Sequence, residues 1–229
     1  MAALDLQPVK WRLMETARAT AGPLRPEGVR ELPIVAGNLA LDFANTVDDP
    51  EGPQRFDHLG DYRGLVAWSK RVGSISERSA AELNRAAEKH PLRAAAAVRR
   101  ARSLRTALNE SFGAVADGRV PDSGWDRLRP FVREAIWRAG LAATPSGLTP
   151  RWELSDLQSP LWPVAEAAYQ LLTGPDLERL KRCAGCPWLF LDHSRNGSRR
   201  WCSMEDCGTH EKIRRYVRKR SERRRGRDL

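Results

Sequence analysis

Apolar residues at helical spacing recur along most of the chain, separated by short breaks rich in Gly, Pro and Asp. Leu39, Leu41, Phe43 and Ala44, with Val47, fit a short helix after Gly37-Asn38. Asp48-Asp49-Pro50-Glu51-Gly52-Pro53 then breaks it. Asp61 is placed to cap a helix that carries Leu65, Trp68 and Val72 on one face. Ser79, with Glu82 three residues on, reads as a capping box for a helix to about His90. Pro91 suits a first helical turn and opens the longest candidate, roughly 91–117. Its Val98, Leu104, Leu108, Phe112 and Val115 make an uneven stripe that Gly118 ends. From Asp122 to Ala139 the pattern is again helical, with Pro130 expected to kink or divide it.

Between Leu141 and Leu157 the period changes. Thr144-Pro145-Ser146-Gly147 is a turn signal, and Leu148 to Leu154 resembles a short strand, so a small hairpin is expected. Ser159-Pro160 leads a helix holding Val164, Ala168, Leu171 and Leu172, stopped by Thr173-Gly174-Pro175. Asp176 to Lys181 adds one or two turns before Cys183. The reading to this point is a mainly α fold: a multihelical N-terminal domain with a small β-hairpin, followed by a distinct C-terminal module. The expected divisions are a loose segment over 1–30, a helical domain over 31–180, that module over 181–220 and a basic tail over 221–229.

Composition narrows the class. Among 229 residues, 41% are hydrophobic and 30% charged, which excludes a collagen-like or fully disordered chain. The formal net charge is +10, and its location matters more than its size. Residues 1–180 hold 24 Lys and Arg against 23 Asp and Glu; residues 181–229 hold 15 against 6. No run of about 20 apolar residues exists to span a membrane. The start, Met1 to Pro8, lacks a basic stretch followed by an apolar run, so no secretory signal is expected. The expected compartment is the cytoplasm, where thiols stay reduced.

All four cysteines fall in the basic segment, as Cys183-x2-Cys186-x15-Cys202-x4-Cys207. Two thiolates separated by two residues can approach one metal from a tight knuckle, and a second pair some 15 residues on completes a tetrahedron. Trp188-Leu189-Phe190-Leu191 is a strand candidate, Ser194-Arg195-Asn196-Gly197 a turn, and Arg200-Trp201 the return strand. Cys207 stands at the start of a helix from about Thr209, whose dipole favours a thiolate. Knuckle, hairpin and a ligand at a helix N-terminus make residues 181–220 a C-terminal treble-clef-like zinc finger. A redox pair is disfavoured because no βαβ pattern surrounds Cys183 and Cys186. Catalytic zinc is disfavoured because four protein ligands leave no open position. One structural Zn2+ is the expected cofactor, with His193 and His210 as substitute ligands of lesser weight.

Basic residues flank this site: Arg195, Arg199 and Arg200 near the turn, then Lys212, Arg214, Arg215, Arg218 and Lys219 on the following helix. Ile213, Tyr216 and Val217 give that helix one narrow apolar face, expected to dock on the finger. A metal-ordered module presenting arginines suits phosphate contact and readout of guanine edges. The expected partner is nucleic acid, with double-stranded DNA preferred, although the composition fits RNA as well. The alternative is a zinc-stabilised interaction module that binds an acidic protein partner. A small-molecule effector in the helical domain is a further partner class. Oligomeric state is not legible. No catalytic residue is assigned: Asp42, Asn45, His58 and Asp61 lie near one another in sequence, but no nucleophile elbow, phosphate loop or His-metal motif accompanies them.

Cys183-Ala184-Gly185-Cys186, Phe190-Leu191-Asp192, Ser194-Arg195-Asn196, Ser198 to Met204 and Cys207-Gly208 resemble the CGNR-type zinc finger. Gly37-Asn38-Leu39-Ala40-Leu41-Asp42-Phe43-Ala44-Asn45-Thr46-Val47 resembles the opening of the ABATE domain that usually precedes it. The resemblance implies a bacterial stress-induced transcription regulator: a helical N-terminal domain, a finger with four cysteine ligands, and DNA binding. One departure stands out. Thr209-His210 replaces the name-giving Asn-Arg after Cys207-Gly208. The zinc ligands are untouched, Thr209 can still cap a helix, and His210 contacts a phosphate only weakly when neutral.

Overall fold

The computed structural model describes residues 28–225, apart from 31, 51, 54 and 146. Most of the expected lead-in and the end of the expected tail (226–229) lie outside the described residues. A 3-10 turn over Gly28–Arg30 precedes helix α1 (Leu39–Ala44), which Asn38 caps by accepting from the Ala40 N–H at 2.9 Å. Strands β1 (Val47–Asp48) and β2 (Phe56–Asp57) pair antiparallel across the Asp/Pro/Gly break. Helix α2 (Tyr62–Arg71) is capped as expected, Asp61 accepting from the Gly64 N–H.

Helix α3 (Glu77–Lys89) begins one turn earlier than the capping-box pattern places it. Its cap is Ser76, which accepts from the Ser79 N–H at 3.1 Å. That start buries Ile75 and Ala80, the residues before the cap and at the fourth helical position, so an apolar staple fixes the entry. Helix α4 (Pro91–Ala116) is followed by α5 (Asp122–Arg138). Pro130 neither divides nor ends α5. It sits on an exposed face with Asp126, so water can satisfy the carbonyl that the missing N–H leaves unpaired.

The expected hairpin is present as β3 (Gly140–Thr144) and β4 (Gly147–Arg151), antiparallel. Ser159–Leu161 form a 3-10 turn that runs directly into helix α6 (Trp162–Thr173). A third 3-10 turn, Pro175–Arg179, leads into β5 (Leu180–Arg182). Beyond it lie β6 (Leu189–Leu191) and the terminal helix α7 (Thr209–Arg225).

Helix α4 is the hub: it packs against α1, α2, α3, α5 and β5. This explains its uneven stripe. A helix with neighbours on several sides buries a broad face, here Ala94, Ala97, Val98, Ala101, Leu104, Ala107, Leu108 and Phe112. The small residues let other elements come close. At Gly124 of α5 an added Cβ would fall 2.6 Å from the Ser111 backbone nitrogen of α4, so only glycine fits that crossing. The buried core is continuous and includes Cys183, Trp188, Leu189, Phe190, Leu191 and Cys202. The first half of the cysteine module therefore belongs to the same core as the helices.

Candidate metal centre and nucleic-acid interface

The cysteine module starts from a strand pair that differs from the expected one. Leu189–Leu191 does not pair with Arg200-Trp201. It pairs with β5, in the register Leu180↔Leu191, Lys181↔Phe190 and Arg182↔Leu189. The Cys183 N–H donates to Trp188 O at 2.9 Å and carries the ladder into the knuckle. A single bond, Ala184 N–H to Arg200 O at 2.9 Å, then brings Arg200–Cys202 across it. Both faces of β6 are buried, so its best partner is the strand already anchored to α4.

This folding gathers the four sulfurs. All lie within 4.8 Å of one another. Cys186 Sγ to Cys202 Sγ is 3.6 Å and Cys202 Sγ to Cys207 Sγ is 3.8 Å. A tetrahedron with Zn–S bonds of about 2.3 Å has S–S edges of about 3.8 Å, whereas a disulfide needs about 2.05 Å. The Cys183 sulfur also accepts from the N–H groups of Gly185 (3.4 Å) and Cys202 (3.3 Å), donors suited to a thiolate. At Gly185 an added Cβ would stand 3.1 Å from the Cys207 Cβ, so the knuckle closes onto the second pair because this residue has no side chain. The donor set fits one structural zinc. Neither His193 nor His210 joins the cluster. His193 instead lies beside Gly37, whose φ of +78° favours glycine.

Asp192 organises the loop between the pairs. Its carboxylate accepts from Lys181 Nζ (2.6 Å), from the Ser194 N–H and Oγ–H, and from the Arg199 N–H. Lys181 and Ser194 foremost, with the Arg199 N–H, hold its carboxyl well below the usual carboxylate range. The Arg199 guanidinium turns inward: it donates to Trp201 O at 2.8 Å and to Cys202 O, and lies 4.7 Å above the Phe190 ring. Of the basic residues read from the sequence, Arg199 is thus engaged within the module. Arg195 and Arg200 are exposed, Arg200 standing 5.2 Å over the Trp201 ring.

Cys207 sits in a wide π turn, Met204–Gly208, that Ser203 caps by accepting from the Asp206 N–H. Thr209 is therefore not the N-cap of α7; it is that helix's first residue, and its hydroxyl donates to Met204 O at 3.0 Å. Helix α7 packs chiefly on that turn and continues to Arg225, past the point where a tail was expected. Its apolar face does not dock. Ile213 is half-buried, but Tyr216 is 64% and Val217 50% exposed. Lys212, Arg214, Arg215 and Arg218 are exposed on α7, with Arg214 3.2 Å from Glu211. Lys219 shares the helix, and its side chain lies outside the described residues.

The residues weighed as a remote catalytic set have structural work instead. Asn45 reaches across to β6: its Nδ2–H donates to Leu189 O at 2.9 Å, and its Oδ1 accepts from the Leu189 N–H at 3.0 Å. Asp42 accepts from the N–H groups of Val35 and Ala36, both at 3.0 Å, and Ala36 O in turn accepts from the Leu191 N–H at 2.8 Å. Burial pushes the Asp42 carboxyl up to about 6, against the opposing pull of the Ala36 and Val35 N–H groups. Asp48, which sequence reasoning passed over, accepts from Trp188 Nε1–H at 3.1 Å and lies 3.0 Å from His58 Nε2. Asp61 only caps α2. On the far side of the same junction, the Arg182 guanidinium bonds Asp117 at 3.2 Å and Gly113 O at 3.3 Å. Residues 36–48 are thus the helical domain's grip on the finger strand and its knuckle.

A family model described as "ABATE: Putative stress-induced transcription regulator" matches residues 37–175, more than half the chain. The chain belongs to the ABATE family. A second model, the CGNR zinc finger, matches residues 179–220. No curated protein matches the sequence. In this ABATE protein the matched opening is the segment that grips β6, and the CGNR finger carries the site for its structural zinc. Among the described residues, no helix is long and apolar enough to cross a membrane.

Proposed function

We propose that this ABATE protein is a cytoplasmic transcription regulator that binds double-stranded DNA through its C-terminal module, while the helical domain senses an effector or mediates assembly. Cys183, Cys186, Cys202 and Cys207 hold the zinc as thiolates; the metal supplies no catalysis and fixes the root of α7. The observation that carries the reading is α7 itself: a 17-residue helix, about 25 Å long, that leaves the metal centre with Lys212, Arg214, Arg215 and Arg218 exposed. A helix of this kind fits the DNA major groove, and its charges suit phosphates on either side. Arg195 and Arg200 lie on the same module and extend the cationic surface. Arg199 is assigned to holding the finger together.

The test is selection of genomic fragments with zinc-loaded protein, followed by fluorescence anisotropy on a recovered duplex across a salt series. A slope of log affinity against log salt of about −0.9 per phosphate neutralised is expected. Undetectable binding at low salt with the zinc intact would overturn the reading. The exposed Tyr216 and Val217 favour one second reading, a helix that docks on an acidic protein. In that case a pull-down recovers a protein complex that nuclease does not dissolve.

A further inference from the structure

The helical domain holds an open groove of about 1400 Å3, remote in sequence from the cysteines. Its lining comes from the α2–α3 turn around Ile75, from the base of the β3–β4 hairpin, and from Trp152 and Trp162. Leu141 and Pro150 are direct cross-strand partners, so their side chains share one face of the hairpin. Leu141 is 70% exposed there, a large apolar side chain left on the wall of an open groove.

The charges are unevenly used. Arg78 pairs with Glu82 at 3.0 Å and Arg93 lies 3.9 Å from Asp156. Arg138 and Arg151 make no ion pair among the described residues, and of the lining carboxylates only Glu153 is likewise unpaired. Two guanidiniums thus stand against one carboxylate. They are rooted together, because Arg151 pairs with Gly140, two residues beyond Arg138. The Arg138 guanidinium lies 5.6 Å from the centre of the Trp162 ring, which holds this cation at the groove wall.

We propose that this groove binds an amphipathic organic anion, its carboxylate or sulfonate on Arg138 and Arg151 and its apolar body against Leu141, Pro150 and Trp152. This deepens the sensing role proposed above and rests on it. The probe is 8-anilinonaphthalene-1-sulfonate, titrated by fluorescence into the full-length, zinc-loaded protein without DNA, so a failure of DNA binding does not enter the result. Saturable binding of one probe per chain is expected. Arg138→Ala with Arg151→Ala should weaken it at least tenfold, and the uncharged N-phenyl-1-naphthylamine should bind at least tenfold more weakly than the sulfonate. Lys212→Ala with Arg215→Ala on α7 should leave the titration unchanged. If the groove double variant loses its fold, Leu141→Glu carries the same test from an exposed position. Unsaturable binding, equal affinity in the groove variants, or loss in the α7 variant would each overturn the proposal.

Discussion

The two halves of the zinc module are held in opposite ways. Residues 180–202 are fastened to the helical domain: β6 is buried, Asn45 binds Leu189 on both backbone groups, and Trp188 reaches Asp48. Residues 204–225 meet the knuckle at Cys207, and the described side chains of α7 are mostly exposed from Lys212 onward. The charge follows the same division. Near the fastened half, Lys181, Arg182 and Arg199 are engaged by Asp192, Asp117 and backbone carbonyls. The outward helix carries the cations that face water. Arg195 and Arg200 are the exceptions, exposed although they belong to the fastened half, so a basic residue's availability follows from its place in the module, which net charge alone does not reveal.

The largest effect should come from cutting the shared root. Cys186→Ser is expected to lower bound zinc from one per chain to near zero, read by elemental analysis, since binding of about 10–16 kcal/mol organises small fingers of this kind. DNA binding should vanish with the metal while α1–α6 still unfold cooperatively by circular dichroism. Full zinc retention would sink the ligand assignment.

Next comes the fastened half. Asn45→Ala leaves the Leu189 N–H and C=O buried without partners, a loss of about 2–4 kcal/mol and a fall in Tm of roughly 5–15 °C by calorimetry. An unchanged Tm would mean that the two halves do not differ as described.

The outward half should respond in the reverse sense. Lys212→Ala with Arg215→Ala is expected to leave Tm within about 1 °C, because surface changes of this kind cost little. It should weaken DNA binding about 10- to 100-fold and flatten the salt slope by about 1.8. Arg199→Ala should do the opposite, lowering stability by about 1–2 kcal/mol with the salt slope unchanged. Similar behaviour of the two variants would erase the distinction.

The smallest effect concerns Asp42. Its folded carboxyl titrates at about 6, above the ordinary 3.8, so the folded state binds the proton more tightly. Stability should therefore fall as pH rises from about 4 to about 6 and level off above, by about 1 kcal/mol between pH 5 and 7. Both backbone bonds go to the same carboxylate oxygen, so Asp42→Asn keeps them and removes this slope. Urea unfolding of the two proteins at pH 5 and pH 7 gives the comparison.

Much of this was legible from local patterns. The helices follow from apolar spacing, and Cys183-x2-Cys186 with Cys202-x4-Cys207 encodes the metal site because a knuckle is a local structure. What escaped is non-local. Nothing around Asn45 signals a partner 144 residues away. The true partner of β6 lies upstream of the knuckle, and a reader of the 15-residue spacer looks downstream. Arg199 and Arg200 are adjacent and chemically alike, and Phe190 with the Trp201 and Cys202 carbonyls separates their roles. The undocked face of α7 has the same origin: Ile213, Tyr216 and Val217 are spaced to pack, but the helix leaves the finger before Tyr216 and Val217 can be covered.

The grip of residues 36–45 on β6 has one more consequence. A two-stranded sheet has an outer edge, and the edge of β6 points its unpaired groups outward at Leu189 and Leu191. The Asn45 amide occupies both groups at Leu189, and the Ala36 carbonyl takes the N–H at Leu191. A side chain and a loop thereby stand in for a third strand and deny that edge to any strand from another chain. Loss of the Asn45 amide would expose a hydrophobic template for self-association, so aggregation at high protein concentration should accompany its loss of stability.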